Sequence, residues 1–370
     1  MRIGVNARFL LDGKLEGLGR YSHEILSRIV LFNPQHQFVF FFDRPYDQKF
    51  VYAENVEPVV IFPPARHPFL WYLWFEWAIP RALKKHKIDY FISVDSFLSL
   101  RSSVPQHLVI HDLAFEHFPE GTSKLVYWYY KKFIPSYCNK AIRIISVSAF
   151  TKTDIHLQYG TKLAKIDSIL NGVSTSFNVQ TSTNTSNQTS YFVFVGAMHP
   201  RKNIARLLQA FDQYKKQTNL PHKLKLVGRK GWQNEEMEQV FDQMSFKNDV
   251  EFVGKLSDVE LVSVLNNALA MLYVPFFEGF GLPIIEAQAC GLPVIASNTS
   301  SMPEVLGQGG ILVDPFDVGS ICDAMIRISN VELQKELSEK GLENVKRFDW
   351  NQSAKDFWIS VEKGMKDAGL

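Results

Sequence analysis

The chain has 370 residues, more than one ordinary hydrophobic core organises, so two domains are expected. Hydrophobic residues make up 46% and charged residues 21%, with a net charge of +2, which excludes a broad nucleic-acid-binding surface. Three widely separated cysteines with no CxxC pair exclude a disulfide framework and a cysteine-held zinc site, and they fit a reducing compartment.

The opening Met1-Arg2-Ile3-Gly4-Val5-Asn6 reads as a first strand rather than a secretory leader, and no apolar run is long enough to span a bilayer. Further strands are expected at Phe38–Phe42, Val59–Phe62, Tyr90–Val94, Leu108–Ile110, Ile142–Val147 and Ile166–Leu170. Helical patterns lie near Arg20–Leu31, Leu70–Lys85, Ser123–Cys138 and Ala149–Tyr159. A stretch rich in Ser, Thr and Asn, 174–190, is too polar to join a core and reads as an inter-domain linker. Alternation then restarts with strands at Tyr191–Val195, Lys223–Val227, Val250–Val253, Leu269–Val274, Val294–Ala296 and Ile311–Val313. Helices are expected at Ile204–Lys216, Glu235–Met244, Asp258–Asn266, Pro283–Cys290, Val318–Ser329 and Glu332–Phe348. Such alternation predicts an α/β protein of two Rossmann-like, doubly wound domains, residues 1–173 and 191–349, facing across a cleft.

Glu278 and Glu286 bracket a loop, Gly279-Phe280-Gly281-Leu282, between a buried strand and a helix with Pro283 in its first turn. Amides at a helix N-terminus hold anions, and each flanking carboxylate can accept hydrogen bonds from a vicinal diol. An anion holder between two diol holders suits a sugar nucleotide. The run from Gly196 to Asn203 ends the first strand of the second block and places Arg201 and Lys202 where a diphosphate would lie. A basic helix N-terminus opposes the helix dipole, so a ligand that brings negative charge is expected there. Arg229, after the next strand, is a second candidate for phosphate and equally an exposed basic turn. Gly17-Leu18-Gly19 forms a short glycine-rich turn before the first long helix, and alone it is a weak signal. His111-Asp112 ends a strand at the carboxyl edge, where ligands of such sheets bind, and reads equally as a structural histidine. Two aromatic clusters, Phe69–Trp77 and Val126–Tyr130, are each followed by lysines. Helical spacing packs Leu70, Leu73, Trp74 and Trp77 inward, and the remaining rings beside lysines suit an anionic membrane surface.

These residues resemble glycosyltransferase family 4, group 1, with the GT-B fold. The resemblance rests on the Glu278–Glu286 loop, the turn Pro200–Asn203, the turn Gly17–Tyr21, His111-Asp112, the run Ile145–Phe150 and Asn171-Gly172-Val173, and it is nearest to bacterial mannosyltransferase-type members. It implies a retaining, metal-independent transfer of a hexose, mannose slightly favoured, from a nucleoside diphosphate sugar such as GDP-mannose. The acceptor would be a saccharide or a lipid-linked saccharide of a cell-surface polysaccharide such as lipopolysaccharide. By resemblance Glu286 grips the ribose and Glu278 the donor sugar. The amides of Gly279, Phe280, Gly281 and Leu282 hold sugar or phosphate, with Gly17, Gly19 and Gly196 in the same binding set. Lys202 and Arg201 take the diphosphate, and His111 sits near the reacting carbon. Many members carry Arg directly after the glycine matching Gly196; here Ala197 stands there, which leaves Arg201 or Arg229 to serve the phosphates. Family habit also returns a last helix, within 350–370, to the first domain, whose expected role is to bind the acceptor.

No cofactor, metal or nucleic acid is expected, and no DxD occurs to hold a magnesium ion. The expected location is the cytoplasm, with contact at the inner face of the cytoplasmic membrane through the aromatic clusters. Two rival readings are a sugar-nucleotide epimerase or hydrolase of the same fold and a non-catalytic nucleotide-sugar binding protein.

Overall fold

A computed structural model describes residues 1–13, 15–180, 190–229 and 235–370. The chain forms two compact units, Met1–Gly172 with Asp349–Leu370, and Val173–Phe348.

The first unit is built on seven parallel strands: β1 (Arg2–Asn6), β2 (Gln37–Phe42), β3 (Val56–Val60), β4 (Tyr90–Ser93), β5 (Gln106–Ile110), β6 (Arg143–Ser146) and β7 (Ile166–Ser168). Their order is β3-β2-β1-β4-β5-β6-β7. The second unit holds six: β8 (Tyr191–Val195), β9 (Lys223–Val227), β10 (Val250–Gly254), β11 (Ala270–Tyr273), β12 (Val294–Ser297) and β13 (Gly310–Val313). Their order is β10-β9-β8-β11-β12-β13. The central strands are largely apolar and buried because helices cover both faces of a parallel sheet; β4, β5 and β11 are buried end to end, the polar Gln106 and His107 of β5 included. In each unit the strand order reverses once, between β1 and β4 and between β8 and β11. The crevice at the carboxyl ends of such a pair is where ligands of open α/β sheets bind.

The expected helix over Leu70–Lys85 runs from Pro68 to Lys85 but carries a π-helical segment, Trp74–Ala78. The extra residue per turn rotates the inward face. Phe75 and Glu76 are therefore buried, whereas Trp77, expected in the core from 3.6-residue spacing, is 40% exposed with Arg101 4.1 Å from its ring. The Glu76 carboxylate accepts the N–H groups of Leu100 and Arg101, at 3.0 and 3.1 Å. Phe75→Ala should therefore cost about 3–5 kcal/mol and Trp77→Ala under about 1 kcal/mol in urea unfolding; the opposite ranking would restore the unbroken helix.

The polar stretch 174–190 differs from a free linker where it is described. Phe177 is buried in the second unit, and the Gln180 N–H donates to Asn266 Oδ1 at 2.7 Å. One aromatic ring in a polar run is enough to anchor it. The rest of that stretch, 181–189, lies outside the described residues.

The last helix, Trp350–Asp367, packs on the first unit. Ser353 Oγ donates to Leu170 O at 2.7 Å, Ser360 Oγ to Asp167 Oδ2 at 2.5 Å, and the Trp358 ring lies 6.0 Å from Phe38. No described helix is long and apolar enough to cross a membrane.

Candidate active site

In the second unit the chemistry gathers where β8 and β11 end. After β8 the chain makes a 3₁₀ turn, Pro200–Lys202, with His199 Nδ1 accepting the Arg201 N–H at 3.2 Å. Asn203 follows in the left-handed region (φ 62°) and opens the helix Ile204–Thr218. Arg201 and Lys202 thus stand in the turn that precedes the helix rather than inside it. Asn203 fixes the turn: its Nδ2 donates to Val274 O at 3.0 Å and Pro315 O at 2.7 Å, and Phe276 N–H returns to Arg201 O at 3.0 Å.

Glu278 sits on the loop after β11 and takes both cations. Its Oε1 lies 2.7 Å from Arg201 NH1 and 2.6 Å from Lys202 Nζ, while Lys202 Nζ also donates to the Tyr273 hydroxyl at 2.7 Å. Burial alone would raise the Glu278 pKa, but the two cations outweigh it and hold the carboxyl below its ordinary value. Burial would likewise discharge Lys202, and the Glu278 carboxylate holds its pKa above the usual value. The same burial pushes Tyr273 up to about 12, so its hydroxyl stays neutral. The result is a charged, largely but not wholly buried cluster at the sheet's switch point.

The loop itself leaves donors unspent. No described residue accepts a hydrogen bond from the N–H groups of Phe280, Gly281 or Leu282, and Leu282 begins the helix Leu282–Ala289. Gly281 caps that helix with φ 103°, and a Cβ there would lie 2.8 Å from Met302 Cε, so the turn that exposes the amides needs glycine. Ser301 Oγ buttresses the loop by donating to Glu278 O and Phe280 O, at 2.8 and 3.0 Å. Glu286 lies in the second turn of the helix, half-buried. Gly196 and Gly228 bring the ends of β8 and β9 together, and Met198 N–H donates to Arg229 O at 2.9 Å. Arg229 is exposed; the residues after it, 230–234, lie outside those described.

Gly17, Gly19 and His111 belong to the first unit. Gly17 caps the helix Leu18–Phe32, and Gly19 N–H closes onto Glu16 O. His111 Nε2 lies 2.8 Å from Val94 O, which fixes the proton on that nitrogen and leaves Nδ1 as the ring acceptor. Burial lowers the His111 pKa, so the ring is held neutral. Leu18, His111 and Asp112 line a pocket of about 430 Å³ with Arg8, Asp95, Phe97 and Trp71.

Sequence reasoning missed Tyr273, Ser301, Arg8 and Asp95, and it placed Asn203 in a motif without its structural role. Asn203 and Tyr273 take their roles from contacts no spacing reveals. Arg8 and Asp95 had a usable signal: each lies two residues beyond a strand at the point where the order reverses.

Two family signatures meet end to end on this chain. "Glycosyltransferase Family 4" matches residues 16–177 and "Glycosyl transferases group 1" matches 178–345. The chain is a family 4, group 1 glycosyltransferase. Similar proteins include the O-antigen chain mannosyltransferase B of Escherichia coli, 28% identical over 91% of this chain and 93% of its own. The O-antigen chain mannosyltransferase RfbU of Salmonella typhimurium is 28% identical over 83% and 84%. Among solved structures, sucrose-phosphate synthase from Thermosynechococcus elongatus has a TM-score of 0.77 at 18% identity, covering 98% of both chains. The Anabaena protein HepE, in complex with UDP and glucose, has a TM-score of 0.74 at 16% identity, covering 98% of this glycosyltransferase and 99% of that chain. These likenesses give the GT-B fold.

Proposed function

We propose that this glycosyltransferase moves a hexose, mannose before others, from a nucleoside diphosphate sugar to a saccharide or lipid-linked saccharide acceptor, with retention of configuration and without a metal. The observation that carries this reading is the Arg201–Lys202–Glu278 cluster beside three unspent loop amides. A diphosphate arriving there meets an ammonium, a guanidinium and a helix N-terminus in a low-dielectric setting, where fixed donors count most. It competes with Glu278 for the two cations, which frees that carboxylate for the sugar's hydroxyls. Glu286 supplies the ribose contact, and Arg229 is a further cation near the strand ends. Mannose is favoured by the two O-antigen mannosyltransferases that the chain resembles.

For the retaining step the acceptor oxygen attacks C1 on the face the diphosphate leaves. The C1–O–phosphate bond breaks, the new glycosidic bond forms, and the acceptor proton passes to the departing phosphate oxygen. The acceptor belongs to the first unit, where His111 Nδ1 can accept a hydroxyl hydrogen bond.

A thermal-shift panel of GDP, UDP, dTDP and their sugars tests the donor, because a ligand that binds only the folded state raises the melting temperature by mass action. GDP and GDP-mannose are expected to give the largest shifts, and no shift with any member overturns the reading. Transfer should persist in excess EDTA; loss of activity that added Mg²⁺ restores would contradict the metal-free reading. NMR of the product should show the donor's anomeric configuration. Donor incubated alone should stay intact, whereas rapid conversion without acceptor would favour an epimerase or hydrolase.

The exposed rings Phe69, Trp77 and Trp128, with Arg81 and Arg101 beside Trp77 and Lys132 beside Trp128, support contact with an anionic membrane surface. Full-length protein should float with vesicles containing anionic lipid and release as salt rises, and Trp128→Ala should weaken that binding.

A further inference from the structure

The first unit repeats, with different residues, the placement that marks the second. Arg8 follows β1 and Asp95 follows β4, the two strands that flank the reversal of order. Arg8 is 5% exposed and Asp95 2%, and Arg8 Nε donates to Asp95 Oδ2. A ring of hydrogen bonds closes behind this pair. Arg8 N–H donates to Asn6 Oδ1 at 3.4 Å, Asn6 Nδ2 to Ser93 Oγ at 2.9 Å, and Ser93 Oγ to Asp95 Oδ1 at 3.1 Å. Phe97 N–H adds to the same oxygen at 3.4 Å. The guanidinium plane is further held among rings, 4.4 Å from Phe97 and 5.2 Å from Phe75. Asp95 is therefore saturated by the protein, whereas the two terminal amino groups of Arg8 have no hydrogen-bond acceptor among the described residues, and Arg8 is one of the residues that line the pocket.

Burying a charge is costly, and a saturated carboxylate that holds an arginine with two free donors at a cavity wall is the arrangement of a ligand clamp. The pocket's other features set the ligand's charge. Arg44 is neutralised by the buried Asp43 and Arg8 by Asp95, while exposed Arg66 and Asp112 add one charge of each sign to the lining. Burial keeps His111 uncharged. Trp71 and Tyr130, parallel at 6.0 Å, supply flat apolar surface on the wall.

We propose that Arg8 binds a neutral pyranose in this pocket, its two amino groups donating to adjacent sugar oxygens while the Asn6–Ser93–Asp95 ring holds it in place. This gives the acceptor of the proposed transfer a ligand class, an uncharged sugar unit, and it rests on that reading.

Saturation-transfer NMR on the full chain tests it with methyl α-D-mannopyranoside and, separately, mannose 6-phosphate. The neutral glycoside should bind the native protein and bind Arg8→Lys about ten-fold more weakly, because a lysine cannot reproduce a two-pronged contact. Ser93→Ala keeps every charge and loosens the ring; it should raise the acceptor KM several-fold with kcat nearly unchanged, a split that a folding defect does not produce. Neutral-sugar affinity unchanged in Arg8→Lys, no binding to the native protein, or about ten-fold preference for the phosphate ester would each overturn the assignment. The melting shift with GDP should be the same in Arg8→Lys and native protein. Absence of a shift with every nucleotide of the panel alongside Arg8-dependent sugar binding would sink the donor reading and leave this one standing.

Discussion

Lys202→Ala is expected to lower turnover with GDP-mannose by about 10²- to 10³-fold, the usual scale for removing one preorganised donor from a developing negative charge. Its effect on stability should stay within about 2 kcal/mol, because Arg201 remains on the Glu278 carboxylate and no buried charge is orphaned. The loss should appear in kcat and in kcat/KM alike, since the ammonium is needed most when the diphosphate leaves. Single-turnover rates and urea unfolding of the same preparation separate the two effects. A variant with near-normal turnover would remove Lys202 from the phosphate site. The ionisation directions fix the pH dependence of the cluster. Glu278 has a lowered pKa, so its contribution to stability is present above the ordinary carboxyl range and fades as pH falls through its folded value.

The second large effect is on folding. Gly228 has φ 141°, and a Cβ there would lie 1.9 Å from Gly196 O, a backbone atom that cannot swing aside. Gly228→Ala should cost roughly 3–5 kcal/mol, by forcing apart the ends of β8 and β9 and shifting the turn that carries Arg201 and Lys202. Gly254→Ala is the control: φ is 80°, but no described residue lies within 4 Å, so only the backbone strain of about 1–2 kcal/mol is expected. Urea midpoints of the two variants should differ clearly, and equal midpoints would show that the close approach carries no energy.

The parallel sheets were legible because their strands are apolar on both faces, and helix amphipathicity punctuated them at regular intervals. The Glu278–Glu286 loop was legible because strand, glycines and proline fall in a fixed order that leaves little choice of local backbone. What lay hidden depended on contacts far apart in sequence. Tyr273 meets Lys202 across 71 residues and Asp95 meets Arg8 across 87. Nothing in the spacing of Trp74 to Ala78 announces a π segment, so Phe75 and Trp77 exchange places relative to a regular helix. Phe177 shows a third limit: composition averages over a stretch, and a single ring can tie down a segment that is otherwise too polar to pack.

The route of the chain has a consequence for biosynthesis. Because Trp350–Asp367 completes the unit that begins at Met1, that unit cannot finish folding on a ribosome until translation has passed through the whole intervening unit. The intervening one, contiguous from Val173 to Phe348, can close first. A premature stop just after Phe348 would accordingly harm the opposite end of the gene product, stripping cover from Phe38, His107 and Leu170 while the later unit survives as a protease-resistant fragment.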